Sequence, residues 1–331
     1  MRAAALIIAA ALIGAGTADA APKRDAFVPR FTAFLDRLQA DPSAPPAFAL
    51  VVVHKGRVVM ERVKGARDQR TGAPLTLDTP IYTASVTKSP VGLLAAQLDA
   101  KGLLPLGTTL AEVWPGLRLA TGQDPAWITA RSFLSHVSGV EAPAIQWRYS
   151  DTGEYATADV PALLPRFATR ANRAYDYGNI GPVLYTAIAE TRLKRSWREL
   201  LREHVIKPLG LTRTSATLED FAPSEVAYCN ARVRGAWRPV PHKPTALLEA
   251  GGGLYSSPRD AATYLRAFTS DGASTGGAIP AAVLRKTYEQ ASQQNREILG
   301  FRRTGYGLGW DLADYDGHKV VSRSGGSAGC R

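Results

Sequence analysis

The chain has 331 residues, 45% of them hydrophobic, and 40 Lys and Arg against 29 Asp and Glu leave a formal net charge of +11. That is enough for a large core at a size where chains usually divide, so two domains are expected. The basic residues are scattered, with no stripe interleaved with aromatics, which excludes nucleic acid as the expected partner. The only cysteines, Cys229 and Cys330, lack C-x-x-C spacing, so no zinc or redox centre and no metal site is expected.

In chain order, residues 1–20 read as an export signal: Arg2, an apolar stretch from Ala3 to Gly16, and the small-residue ending Ala18-Asp19-Ala20. The run is shorter than the roughly 20 residues a membrane helix needs, and Pro22 and charges follow at once. A cut after Ala20, a mature monomer in the periplasm or outside the cell, and no membrane span are expected. Loss of Arg2 and Asp19 together leaves the net charge of +11 unchanged, a balance that suits anionic wall polymers, carboxylate-bearing substrates or simply a solvated basic surface. An oxidising compartment would permit a Cys229–Cys330 bridge, for which the sequence supplies no geometry.

Asp25 to Asp41 carries Phe27, Phe31, Phe34, Leu35 and Leu38 at helical spacing and predicts an amphipathic helix packed on something apolar. Ala47 to Val53 and Arg57 to Val63 predict two strands joined as a hairpin through His54-Lys55-Gly56. From about Ile81 to Ala250 helical patterns dominate. Ser85 to Lys101 is apolar on nearly every face and stops at Gly102, so it reads as a buried central helix; Pro90 either bends it or fixes its first turn. Ser196-Trp197-Arg198-Glu199 is a capping box opening a short basic helix that ends before Pro208, and Ser257-Pro258-Arg259-Asp260 starts another helix. Tyr306 to Leu312 and Lys319 to Ser324 predict strands joined through Tyr315-Asp316-Gly317.

Ser85-Val86-Thr87-Lys88 places a hydroxyl and an amine one helical turn apart at the entrance of the buried helix. A serine hydroxyl needs a nearby base, and a lysine serves if burial and neighbouring positive charge depress its pKa; a helix N-terminus favours the negative charge that develops on a substrate carbonyl oxygen. A Ser-x-x-Lys is expected about once by chance in a chain this long. An unpaired lysine on so apolar a helix is costly unless it lines a cleft.

With these residues in place the chain resembles the serine β-lactamases of class C and the related D-alanyl-D-alanine carboxypeptidases and esterases. The resemblance runs through the hairpin ending in Gly65, Leu134-Ser135-His136-Val137-Ser138-Gly139, Tyr177-Gly178-Asn179, Pro208-Leu209-Gly210-Leu211, Gly251-Gly252-Gly253-Leu254, Tyr306-Gly307-Leu308-Gly309-Trp310 and Arg323-Ser324-Gly325-Gly326. It implies an α/β plus all-α fold of the β-lactamase and penicillin-binding-protein type: an antiparallel sheet flanked by helices, formed by residues 21–80 and 250–331, with an inserted helical domain over 81–249 and the site between them. It implies Ser85 as nucleophile, Lys88 and Tyr177 in proton transfer, and Asn179 orienting the substrate's acyl amide. Arg323, Ser324 and Gly325 stand at the third motif, where Lys or His is usual first; Arg323 there implies a fixed positive charge for a substrate carboxylate and no proton shuttling, the alternative being an exposed strand charge. The backbone N–H groups of Ser85 and Gly326 are implied as the oxyanion hole. No cofactor is implied. The substrate would be a small molecule or a peptidoglycan peptide: a β-lactam, a D-Ala-D-Ala peptide or an ester.

Two further patterns point elsewhere. Gly325-Gly326-Ser327-Ala328-Gly329 matches G-x-S-x-G, but a nucleophile elbow must lead into a helix with an acid and a histidine beyond it, and only two residues follow. His136 reads as structural, in a turn beside Gly139. The strand bearing the third motif lies at the end of the chain, where the family has further strands and a closing helix, so Lys319 to Ser324 is expected as an unpaired edge and the helix near Asp25 is expected to lack its neighbour. That ending and Arg323 motivate the rival expectation, a non-catalytic or impaired binder of wall peptides on the same fold.

Overall fold

The computed structural model describes residues 9–12, 24–41, 43–170, 174–298, 300–327 and 329–330. The export segment and its cut after Ala20 lie outside the described residues except for Ala9–Leu12. The elements that carry the site are β1 (Ala9–Leu12), α1 (Arg24–Ala40), β2 (Phe48–His54), β3 (Arg57–Lys64), α2 (Lys88–Ala100), α3 (Ile180–Leu193), α4 (Pro258–Thr269), α5 (Ala281–Tyr288), β4 (Ser292–Ile298), β5 (Phe301–Tyr306), β6 (Asp311–Tyr315) and β7 (His318–Arg323). The elements form antiparallel sheets flanked by helices, the architecture the resemblance implies.

The main sheet is antiparallel with strand order β1-β7-β6-β5-β4. β2 and β3 form a separate hairpin whose turn places Lys55 at φ 47° and Gly56 at φ 73°, a left-handed pair that matches the strands' twist. α4 packs against β2, and α5 packs against α2. The cap read at Ser257 is formed, its hydroxyl accepting the Asp260 N–H at 3.1 Å, and the Ser196–Glu199 capping box is formed as well.

α2 is the axis of the core. Val91, Leu93, Leu94, Ala95, Ala96 and Leu98 are buried, and they share one apolar cluster with Phe133, Leu184, Trp197, Phe268, Trp310 and Val321. Residues on both sides of the expected division at 249 therefore meet in a continuous core. Pro90 is the third residue of α2, within its first turn.

Several expectations are corrected. The helix does not start at Ser85: a 3-10 turn over Ala84–Thr87 precedes α2, entered through Ala84 at φ 46°. The strand expected over Tyr306 to Leu312 is interrupted, because Gly307–Trp310 leaves the sheet to press on α5 and α2: the Leu308 N–H reaches Thr287 O of α5 at 2.7 Å, and a Cβ on Gly309 would stand 2.1 Å from Lys88 O of α2. β4 was not read at all. Along the outer edge of β7 lies Ala9–Leu12, antiparallel, with Ala9 opposite Arg323 and Leu12 opposite Val320; these residues belong to the segment read as an export signal, so in a chain cut after Ala20 the edge is left as the unpaired one expected. On α1, expected to pack its apolar face, Phe27, Phe34 and Leu38 are 43%, 43% and 51% exposed. Among the described residues no helix is long and apolar enough to cross a membrane.

Candidate active site

Ser85 is presented by a sharp local bend. Ala84 takes the left-handed backbone conformation, at a cost of about 1–2 kcal/mol, and its surroundings hold it there. The Thr83 N–H and hydroxyl both donate to Leu254 O at 2.9 Å, Thr87 Oγ1 donates to Ala84 O at 2.7 Å, and Leu254 N–H donates to Thr87 Oγ1 at 3.0 Å. The turn leaves Ser85 partly accessible while Lys88 is buried at 1% exposure.

Lys88 Nζ donates to Ser85 Oγ at 3.2 Å, Asn179 Oδ1 at 2.5 Å and Gly251 O at 2.6 Å. Its three protons thus have three acceptors: the nucleophile, the Tyr-x-Asn segment and the glycine run. Nζ also stands 4.9 Å from the centre of the Tyr177 ring. Burial is the largest influence on the Tyr177 phenol and pushes it up, yet the charges of Lys88 and Arg323, with hydrogen bonding to Ser85 and Lys88, outweigh burial and hold the phenol below its ordinary range. Ser85, Lys88, Tyr177 and Asn179 are therefore gathered in one place.

Arg323 joins them with different partners from those expected. It is 4% exposed, neither an open strand charge nor a free guanidinium. Nε donates to Ser324 O at 3.0 Å, Nη1 to Tyr306 OH at 3.1 Å, and Nη2 to Tyr177 OH at 3.0 Å; Nη1 is also 3.4 Å from Asp311 Oδ2. Every nitrogen is engaged by protein, so the charge acts on Tyr177. Ser324 and Gly325 follow half-buried, and Gly326 is exposed. A Cβ on Gly325 would stand 2.2 Å from Thr83 O and 3.1 Å from Ser85 N, so only glycine lets the third motif lie against the nucleophile's own backbone N–H.

The profile of the family described as Beta-lactamase matches residues 34–330. The chain belongs to the beta-lactamase family. Penicillin-binding protein 4 of Amycolatopsis lactamdurans is 28% identical over 312 residues, covering 89% of this chain and 78% of that protein. Among solved structures, the octameric penicillin-binding protein homologue from Pyrococcus abyssi matches with a TM-score of 0.74 and 23% identity over 90% of this chain and 68% of that one. EstCE1, a hydrolase with promiscuous acyltransferase activity, matches with a TM-score of 0.72 and 16% identity over 91% of this chain and 94% of the other. These likenesses establish the fold.

In this beta-lactamase family member, other residues complete the site without any local signal in the sequence. Glu249 is 2% exposed, and its carboxylate accepts the N–H of Gly251, whose carbonyl receives Lys88. Burial pushes its carboxyl up, against the lowering influence of Lys88 and of the Gly251 N–H. His136 supports the Tyr-x-Asn segment: its carbonyl accepts the Asp176 N–H at 2.9 Å, and its ring packs 4.9 Å from both Tyr177 and Tyr306. Burial first, then Lys88, Arg323 and Arg296, push its imidazole far down, so it is a neutral wall. Asp311, fully buried, anchors Arg296, Arg303 and Arg323.

Proposed function

We propose that this chain is an exported serine hydrolase that forms an acyl-enzyme at Ser85, with a β-lactam, a D-Ala-D-Ala peptide or an ester as substrate. The observation that carries the reading is the 3.2 Å contact from Lys88 Nζ to Ser85 Oγ beside a Tyr177 phenol held below its ordinary value by positive charge. Lys88 donates to its neighbours, so the base in this scheme is Tyr177. The phenolate takes the Ser85 proton as Oγ attacks the acyl carbonyl, and the developing oxyanion faces the N–H groups of Ser85 and Gly326. Tyr177 then returns the proton to the leaving group, and water repeats the sequence to release the acid. Lys88 and Arg323 favour the phenolate; Asn179 fixes Lys88 and offers its amide to the substrate's acyl side.

The export part of the proposal rests on Arg2, the apolar stretch and Ala18-Asp19-Ala20, and is consistent with the Cys229–Cys330 disulfide, a bond that persists in oxidising compartments. N-terminal sequencing of the secreted product is expected to begin at Ala21. The division into 81–249 and the two flanking segments, with the site between, belongs to the same proposal.

Intact-mass spectrometry after incubation with penicillin or an activated ester is expected to reveal one covalent adduct on the native protein and none on Ser85→Ala. An adduct that survives the substitution names another nucleophile, and a folded native protein that takes up no acyl group is a binder of wall peptides instead.

A further inference from the structure

Between Glu225 and Glu249 the chain carries Arg232, Arg234, Arg238 and Lys243 and no acid. Cys229–Val233 and Ala236–Val240 fold this stretch into an antiparallel hairpin that pairs with no other strand among the described residues. Its turn is fixed by the backbone, with Arg234 at φ 49° and Gly235 at φ 83°, the left-handed pair that suits the twist of a tight hairpin. The tip extends roughly 10 Å beyond Asn230.

The tip is mixed in chemistry. Arg232, Val233, Arg234, Gly235 and Ala236 are exposed, Val233 at 51%, and Arg238 is exposed beside them. Val233 stands opposite Ala236, Ala231 opposite Arg238 and Arg232 opposite Trp237. Opposed residues share a face and successive ones alternate, so one side shows Val233, Ala236 and Arg238 and the other Arg232 with the half-buried Trp237. None of the three arginines forms an ion pair among the described residues, and Arg232 Nε donates to Gly235 O at 3.2 Å. The nearest acid to feel them is Asp41, whose carboxyl is held down by hydrogen bonds from Ser43 first and by the charge of Arg232 last. Cations flanking an exposed apolar group suit a surface that is anionic outside and apolar beneath, where guanidinium groups stay among headgroups and the apolar group enters the boundary. A soluble polyanion would use the cations alone.

We infer that this hairpin is a docking surface for an anionic lipid bilayer, with Arg232, Arg234 and Arg238 on the headgroups and Val233 at the acyl boundary. The root of the hairpin links docking to the candidate site: Cys229 is bonded to Cys330, and the Asn230 N–H donates to Gly329 O at 3.0 Å. The segment tied there continues from Gly325, which lies against the Ser85 backbone. A docked tip therefore holds the site at a fixed place beside the membrane surface.

Co-sedimentation tests this with vesicles of phosphatidylglycerol and phosphatidylcholine against vesicles of phosphatidylcholine alone. The native protein is expected on the mixed vesicles only, and to leave them as salt is added. At about fivefold per arginine, combining Arg232→Ser, Arg234→Ser and Arg238→Ser is expected to lower partitioning by about a hundredfold. Replacing Arg118, Arg166 and Lys207 by serine instead removes exposed cations elsewhere with the same change of net charge, and is expected to lower it by less than about tenfold. Equal losses in the two triple variants, or none in the first, overturn the inference. Val233→Ser keeps every charge and is expected to weaken vesicle binding by about fivefold with no change in binding to polyglutamate. Polyglutamate bound as tightly as the vesicles, with Val233→Ser indifferent toward both, assigns the hairpin to a soluble polyanion and overturns the bilayer. Should the hairpin variant fail to fold, hydrogen exchange on the native protein decides: slowing at residues 231–238 when mixed vesicles are added supports the docking surface, and its absence there refutes it. None of these readouts needs turnover, so their outcome is independent of the chemistry at Ser85.

Discussion

Replacing Arg323 by glutamine removes one of the two cations that hold the Tyr177 phenol down while leaving a hydrogen-bond donor at the same place. With positive charge withdrawn the phenol binds its proton more tightly, so the acidic limb of kcat/KM moves to higher pH, and activity below that limb falls more than activity above it. The check is a pH–rate profile of Arg323→Gln against the native protein on a neutral ester. An unmoved limb with a uniformly lower rate would assign Arg323 to architecture alone. At this scale Ser85 and Lys88 were legible in the sequence, because an i to i+3 pair on an apolar helix is a local pattern. Tyr177 and Asn179 were legible only through the family's motif. Glu249, Asp311 and Arg296 were silent, since a charged residue looks the same in a sequence whether it ends in solvent or on a buried partner.

Two elements meet where the nucleophile is set, and glycines mark the contact. A Cβ on Gly92 of α2 would stand 1.9 Å from Leu308 O and 2.5 Å from Leu308 C, which are backbone atoms that can move only with the whole Gly307–Trp310 segment. Helix propensity alone says Gly92→Ala stabilises by about 1 kcal/mol. The packing says the reverse, and Gly92→Ala is expected to lose about 1–3 kcal/mol in denaturant unfolding. The sign of that change, read from the urea midpoint at constant slope, separates the two. The interruption between β5 and β6 has the same origin, and alternation of apolar residues could not report it. β4 escaped reading for a related reason: its inward positions are Ser292 and Gln294, followed by Arg296, all polar residues whose partners are Ser135 O, Gly305 O and Asp311. A strand that buries hydrogen-bonding groups lacks the apolar period by which strands are recognised.

Across the whole molecule, the segment that follows the third motif is held by covalent and apolar ties. Cys229 and Cys330 are bonded across 101 residues, with Cα atoms 4.8 Å apart. The Asn230 N–H donates to Gly329 O at 3.0 Å, and Cys330 packs in a second small core with Tyr82, Phe221, Leu248 and Tyr255. That core underlies the strand leading to Ser85, so the bridge secures the segment whose Gly325 lies against the Ser85 backbone. Removing it with Cys229→Ala is expected to cost about 2–5 kcal/mol of stability, as for a bridge closing a loop of this length. Under the proposed mechanism acylation is expected to slow as well, because the segment packed on the Ser85 backbone through Gly325 loses its anchor. Chemical unfolding of oxidised and reduced protein, paired with the acylation rate measured well below the unfolding midpoint, checks both.

What the chain alone determined is whatever follows from spacing along it: the hairpin before residue 65, the buried helix behind Ser85, the helix caps at Ser196 and Ser257, the hydroxyl and amine a turn apart, and the family to which this order of motifs belongs. Tertiary structure decided which charge meets which. It bonded Cys229 to Cys330, turned Arg323 inward onto Tyr177, gathered Arg296 and Arg303 on Asp311, and bent Gly307–Trp310 out of the sheet. Periodicity and capping are set by neighbours within a few residues, whereas a buried ion's partner is chosen by desolvation and geometry among groups that here lie 8 residues away for Arg303 and Asp311 and 146 for Arg323 and Tyr177.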